Sequence, residues 1–342
     1  MTRLSPHYRR FTRQTIRTAC CVAFALLFFA VPVAAQKQIT LYTALTTTTP
    51  QMPLWAAIRD GWPQDKTLAV EYWKNLDDLR GIMLAGKGDV WVGNIESFVQ
   101  AALRGAPVTL VAVSGWKKFY FLAPQGEAFD DMTAFAAKLR EKGLELAVTP
   151  QDGPSLNILE KTAQQGGPAF SIAAMPPQQL MLEILRGTRQ YALLPEPLLS
   201  GVLAKKPSLH AVLSLEEEFS RHHGGPARMP LAGIAVHTRF AKENPERVRE
   251  LVSLMVQAAP KLAQDADAAI AVLPSEVLAA LGRDVIAASL PRDTLFVAPA
   301  AAVRTEIAAY LAMTMTKTRE AKNRLEALLD GPFLFNAPPE KP

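Results

Sequence analysis

From residue 38 onward, short apolar runs alternate with amphipathic stretches. Residues 39–45, 68–73, 90–95, 108–113 and 118–122 are rich in β-branched and aromatic side chains and read as strands. Between them, 52–60, 76–85 and 97–104 place apolar side chains at three-to-four spacing. These segments run out near Gly61, Gly86 and Gly105, as helix C-termini often do. Repeated strand-helix-strand units predict a mostly parallel sheet with helices on both faces.

A second α/β series follows. A helix over 129–142 ends at Gly143, and strands are expected at 144–148, 170–174, 190–194 and 210–213. Helices between them open at Ser155, Pro177 and Pro197. Ser155 is the expected N-cap, and proline suits a first helical turn, where a missing N–H costs nothing. Residues 229–237 are again apolar and extended. After Asn244-Pro245 the chain reads as helical to residue 329, its apolar stripes packing onto a core as cladding.

The first 35 residues read as a leader peptide. Arg3, Arg9, Arg10, Arg13 and Arg17 form a basic start, 19–31 an apolar run, and Val33-Ala34-Ala35 a cleavage site before Gln36. The run is broken by Pro32 and falls short of the ~20 residues that a membrane-spanning helix needs. The five leader arginines account for the whole excess of 37 Lys and Arg over 32 Asp and Glu. The remainder is balanced in charge, which argues against nucleic acid or an anionic membrane as partner. Both cysteines, Cys20 and Cys21, lie in the leader, at the start of the apolar run rather than at its end, where lipidation would require one. Disulfides, thiolate metal sites and cysteine nucleophiles are thereby excluded from the rest. The exported part is long enough for two ordinary domains of ~100–150 residues.

Candidate binding chemistry concentrates at expected strand ends, where helix N-termini present free N–H groups. After the first strand, Thr43, Thr46, Thr47 and Thr48 offer adjustable donors and acceptors for an oxyanion, a carboxylate or an amide, or form a plain turn. Three further strand ends supply Trp73 with Asn75, then Asn94 with Glu96 and Ser97, then Ser114 with Trp116. Asn94 and Ser97 can donate at a helix start, and Trp73 and Trp116 can stack on a flat ligand; helix capping and core packing are the competing roles. The second series adds Gln151, Asp152 and Ser155 around Gly153, and Glu196. With Glu96 or Asp152, Glu196 can face an amine, unless these acids merely cap helices. Together the two kinds of site suit a taurine-like zwitterion or an aminopyrimidine. His222-His223 reads as a solvated helix end, because the His-Glu-x-x-His pattern is absent. Nucleophile elbows, phosphate loops and dinucleotide fingerprints are missing too, so no catalytic residue, metal or cofactor is expected.

Four stretches in order carry a resemblance. They are 41–48, 84–90 running into Gly93-Asn94, Arg104-Gly105-Ala106-Pro107-Val108, and Phe240-Ala241-Lys242-Glu243-Asn244-Pro245-Glu246. Over most of the exported part, the chain resembles the NMT1 and SsuA-like periplasmic binding proteins of ABC importers, whose ligands include nitrate, sulfonates, taurine and thiamine precursors. The resemblance implies a type II periplasmic binding fold: two α/β lobes joined by two crossing strands, with a helical C-terminal region. Crossings are expected near 121–124 and 230–235, giving lobe one as 36–122 plus 232–342 and lobe two as 123–231. It also implies ligand contacts at the 149–155 turn and matches Glu196-Pro197 to a Glu-Pro of relatives. The implied role is an exported, periplasmic, non-enzymatic binder of a small molecule that serves an inner-membrane ABC permease. A ligand sensor for a membrane receptor is the alternative. A thiamine-pyrimidine synthase ranks below it, since such relatives rely on a cysteine-rich motif.

Overall fold

The computed structural model describes residues 38–64, 66–151, 153–315 and 318–336. The expected leader and Asp152 lie outside the described residues. Eleven strands are described: β1 (Ile39–Thr43), β2 (Leu68–Tyr72), β3 (Val90–Asn94), β4 (Val108–Gly115), β5 (Phe119–Pro124), β6 (Leu146–Val148), β7 (Ile172–Ala174), β8 (Ala192–Pro195), β9 (Leu209–Ser214), β10 (Ala232–His237) and β11 (Ala298–Pro299).

They form two sheets, ordered β11-β4-β10-β3-β1-β2 and β7-β6-β8-β5-β9. In sheet one, β1 runs parallel to β2 and β3, and β10 runs antiparallel to both β3 and β4. The carboxyl ends of β1 to β4 therefore share one edge, where β10 begins with Ala232 opposite Asn94 and Gly115. In sheet two, β6 is parallel to β7 and β8, while β5 is antiparallel to β8 and β9. Strands β6, β8 and β9 thus end where β5 begins, Phe119 lying opposite Pro195 and Tyr120 opposite Ser214. Only residues 116–118 separate the end of β4 from the start of β5, so the two carboxyl edges meet there.

Local sequence explains the elements. Strand β4 is buried along its whole length, as a near-continuous apolar run requires. Asn75, Asn94, Asp131 and Ser214 each accept a hydrogen bond from the backbone N–H three residues on, which fixes four helix starts. One apolar core runs through both sheets, from Trp91 and Phe98 through Trp116, Phe121 and Phe135 to Leu193 and Leu325. On the other face of sheet one, Met52, Leu54 and Trp55 pack with Leu251 and Met255 of the long helix Pro245–Gln264.

The α/β architecture with two sheets agrees with the sequence reading, and the C-terminal part is helical with one exception. The exception, β11, pairs with Ala112 and Val113 of β4 and is too short to show a two-residue period. The first passage between sheets lies at 116–118 rather than near 121–124, so the boundary expected at residue 122 falls inside β5. Propensity marks 118–124 as extended but cannot say which sheet it joins; the register with β8 and β9 decides that. The return passage is 224–231, immediately before β10. Ser155 is not the N-cap: Gly153 caps the helix Pro154–Gln164 and Pro154 takes its first position, leaving Ser155 in the first turn. Among the described residues, no helix is long and apolar enough to cross a membrane.

Candidate functional site

The threonine turn after β1 is organised by Gln51. Its carboxamide oxygen accepts from Thr43 Oγ1 at 2.6 Å and from Trp55 Nε1 at 3.0 Å, and its nitrogen donates to the carbonyls of Ala44, at 3.2 Å, and Thr47. Thr43 and Thr48 are buried, Thr47 is half-buried and Thr46 is exposed. Thr43 thus spends its hydroxyl on the turn. The adjacent Thr49 hydroxyl is buried beside Asp293, whose charged form it favours. No motif marks Gln51 in the sequence.

The other sheet-one residues fall into two groups. Asn75 is exposed and caps Asp78, while Trp73 donates from Nε1 to the Val92 carbonyl at 2.9 Å. Ser114 donates to the Pro50 carbonyl at 2.7 Å. Trp116 is fully buried, with its Nε1 on the Phe296 carbonyl at 2.9 Å. The Arg228 guanidinium lies 4.7 Å from the indole centroid, on the ring where the sequence reading seats a flat ligand, and forms a two-point pair with Glu306. Asn94, Glu96 and Ser97, by contrast, come together. Asn94 caps Ser97, its Nδ2 lies 3.4 Å from Glu96 Oε2, and the buried Ser97 hydroxyl accepts from Arg80 Nη1 at 3.2 Å.

In sheet two, Thr149 and Ser155 are fully buried, and neither hydroxyl has a hydrogen-bond partner. They flank the start of the helix Pro154–Gln164, which has no side-chain cap, and Gln151 beside them is exposed. Glu196 is buried and committed. It accepts from Ser200 N and Ser200 Oγ, each at 3.0 Å, and from Arg292 Nε at 2.5 Å.

Two polar features lie between the sheets. A cavity of about 230 Å³ is lined by Asn94 at the end of β3 and by Arg80, Glu96, Gln100, Asn157 and Thr314, among others, on four helices: Leu76–Leu84, Ile95–Leu103, Pro154–Gln164 and Arg304–Met315. Burial pushes the Glu96 carboxyl up to about 7, against the opposing effect of Thr314, Tyr310 and Asn94 beside it. The second feature surrounds Lys118, on the first passage. Burial lowers its ammonium pKa, opposed by Asp293, Glu196 and Glu216. Glu216 accepts from the Lys118 and Phe119 N–H groups at 2.8 and 3.1 Å, and burial nonetheless raises it to about 7. Asp293 is raised by burial as well, opposed by Lys118 and Thr49.

Arg80, Gln100, Asn157, Thr314, Lys118 and Arg292 escaped the sequence reading. They sit mid-helix or between elements, where a polar side chain carries no signal distinct from a solvated face. Among the described residues, no three His, Cys, Asp or Glu side chains form a group able to hold a metal ion.

No family model and no curated protein matches this chain. Solved structures do. An ABC transporter protein from Parabacteroides distasonis superimposes with a TM-score of 0.64 at 15% identity, covering 84% of this chain and 95% of that one. The periplasmic aliphatic sulphonate binding protein SsuA from Escherichia coli gives 0.63 at 12%, with 89% and 94% covered. The periplasmic nitrate-binding protein NrtA from Synechocystis PCC 6803 gives 0.62 at 12%, with 86% of each chain covered. At such identities the likeness is one of fold: this chain has the two-lobed fold of periplasmic binding proteins, the fold that its sequence resemblance implies.

Proposed function

We propose that this chain is an exported solute-binding protein that captures a small polar organic molecule or an anion between its lobes and presents it to an inner-membrane ABC importer. One observation carries the reading: buried polar groups with capacity for a ligand at both carboxyl edges, the Glu96 carboxylate lining the cavity from sheet one, and Thr149 Oγ1 and Ser155 Oγ, which have no protein partner, from sheet two. A buried polar group left unpaired costs roughly 1–3 kcal/mol, which a bound solute recovers by supplying the missing partners. The uncapped first turn at Gly153 adds free N–H groups and a positive partial charge suited to an acidic group. The solved neighbours, named as ABC-transporter, sulphonate-binding and nitrate-binding proteins, support the same role.

In this reading the solute favours the closed arrangement through contacts that only the closed form offers, with the hinges at 116–118 and 224–231. The leader delivers the protein to the periplasm, and the solute leaves chemically unchanged. A thermal-shift screen of the purified protein tests it, using sulfonates, nitrate, carboxylates, amino acids and aminopyrimidines. A cognate solute at ~100 times its Kd adds ~2.7 kcal/mol, about 4 °C for a chain of this size. Ser155→Ala reduces that shift; a flat response across the screen overturns the reading.

A further inference from the structure

The two glutamates that the sequence offers as partners for an amine end in opposite states. Glu196 already holds a cation of this chain: its Oε1 receives Arg292 Nε at 2.5 Å, and both carboxylate oxygens receive Ser200. Glu96 is only 6% exposed and meets no cation: its neighbours are neutral, Asn94 Nδ2 at 3.4 Å from Oε2 and the hydroxyls of Thr314 and Tyr310. It lines the 230 Å³ cavity together with Arg80. Arg80 spends Nη1 on Ser97 Oγ at 3.2 Å and Nη2 on the exposed carboxylate of Asp77 at 2.5 Å. A guanidinium has five N–H donors, so further donors remain for a ligand.

We propose that this cavity recognises a compact zwitterion, Glu96 receiving its ammonium group and Arg80 its acidic group. The proposal rests on the solute-binding reading above and narrows it. The volume lies below the ~300 Å³ at which drug-sized sites begin, so the solute is small. Charge selects its type. One cation and one anion of the protein wall the cavity, and a zwitterion satisfies both at once. A plain anion leaves the buried Glu96 without a cation, and a plain cation leaves Arg80 with only the exposed Asp77 carboxylate. Everything else lining the cavity near Glu96 is uncharged: Asn94 from the strand end, Gln100 from its own helix, Asn157 from sheet two and Thr314 from the C-terminal helix. Tyr310, also beside Glu96, is held neutral by burial, with Glu96 and Glu216 raising it further. Amides and hydroxyls of this kind can complete either group of the ligand.

Matched ligands test the proposal by titration calorimetry at pH 7.5. The zwitterions are the small α-amino acids, β-alanine and taurine. Propionate and ethanesulfonate retain only the acid, and propylamine retains only the amine. The expected result is binding of at least one zwitterion, with its single-charge counterparts about 10- to 100-fold weaker. Glu96→Gln is expected to weaken that zwitterion by a similar factor and to bind the acid-only counterpart at least as tightly as the wild type does, since the carboxylate that opposes a bare acid is gone. Equal affinity for zwitterion and acid, or an unchanged zwitterion affinity in Glu96→Gln, overturns this proposal and leaves the solute-binding reading standing. So does a screen in which only nitrate, sulfonates or aminopyrimidines bind. Silence across that whole screen removes both. Should Glu96→Gln fail to fold, the wild-type ligand series still decides.

Discussion

Replacing Arg292 with alanine should cost the protein a measurable part of its stability, because it unpairs a carboxylate with no access to water. Arg292 follows the helix Arg283–Ser289, whose Ile286 packs in the core of sheet one, and its side chain reaches across to Glu196 and Ser200 beside the sheet-two helix Leu198–Lys205. The Glu196 side chain is 0% exposed and that of Arg292 28%. Breaking a buried ion pair from one side typically costs 3–5 kcal/mol. Ser200 keeps two hydrogen bonds on the carboxylate, and the guanidinium is partly hydrated, so about 2–3 kcal/mol is expected for Arg292→Ala. Urea unfolding reads this directly, and the thermal midpoint should fall by roughly 4 °C. Adding Glu196→Gln should recover part of the loss, since a neutral amide in the same place is cheaper to bury. An Arg292→Ala protein within 0.5 kcal/mol of wild type would show that the pair is screened by solvent and that this tie between the lobes carries no weight.

Three further outcomes follow from the same geometry. Burial lifts Glu96 and Glu216 to about 7 and raises Asp293, so the folded protein holds protons that the unfolded chain releases near its ordinary value of 4.5. Stability should therefore decline as pH rises from about 4.5 to about 7, and Glu96→Gln should flatten the decline and gain up to ~3 kcal/mol at pH 8; denaturant midpoints equal at pH 5 and pH 8 in the wild type would contradict this. A Cβ at Gly233 would lie 2.2 Å from the Ala112 carbonyl oxygen, where β10 pairs with β4 at a register irregularity, so Gly233→Ala should lose about 3 kcal/mol in urea unfolding, and a loss below 1 kcal/mol would refute the close approach. Arg228→Ala removes the two-point pair with Glu306 and the cation stacked on Trp116, and should cost about 1–2 kcal/mol and change the tryptophan emission; an unaltered spectrum would place Arg228 elsewhere.

Much of the fold is legible in the sequence because period and punctuation agree. The runs in 38–122 are strands where β-branched residues dominate, and the glycines after 60, 85 and 104 stand where helices end. What periodicity cannot give is partnership. Strand β5 reads as extended whichever sheet it joins, and only its register with β8 and β9 moves the lobe passage to 116–118. The site divides in the same way. Asn94, Glu96, Ser97 and Ser155 are found because strand ends and helix starts are local signals. Arg80, Asn157 and Thr314, from three other helices, are not, because tertiary packing brings them to the same cavity. Sequence also cannot tell a spent group from a free one. Glu96 and Glu196 each open a polar segment after a strand, and only the structure shows that Arg292 has taken the second.

The most direct measurement is a crystal structure grown with the solute that gives the largest thermal shift. Ligand density is expected between the lobes, in contact with Glu96 or Ser97 from sheet one and with Asn157 or the 149–155 turn from sheet two. Density elsewhere on the surface, or contact with one lobe alone, would contradict it.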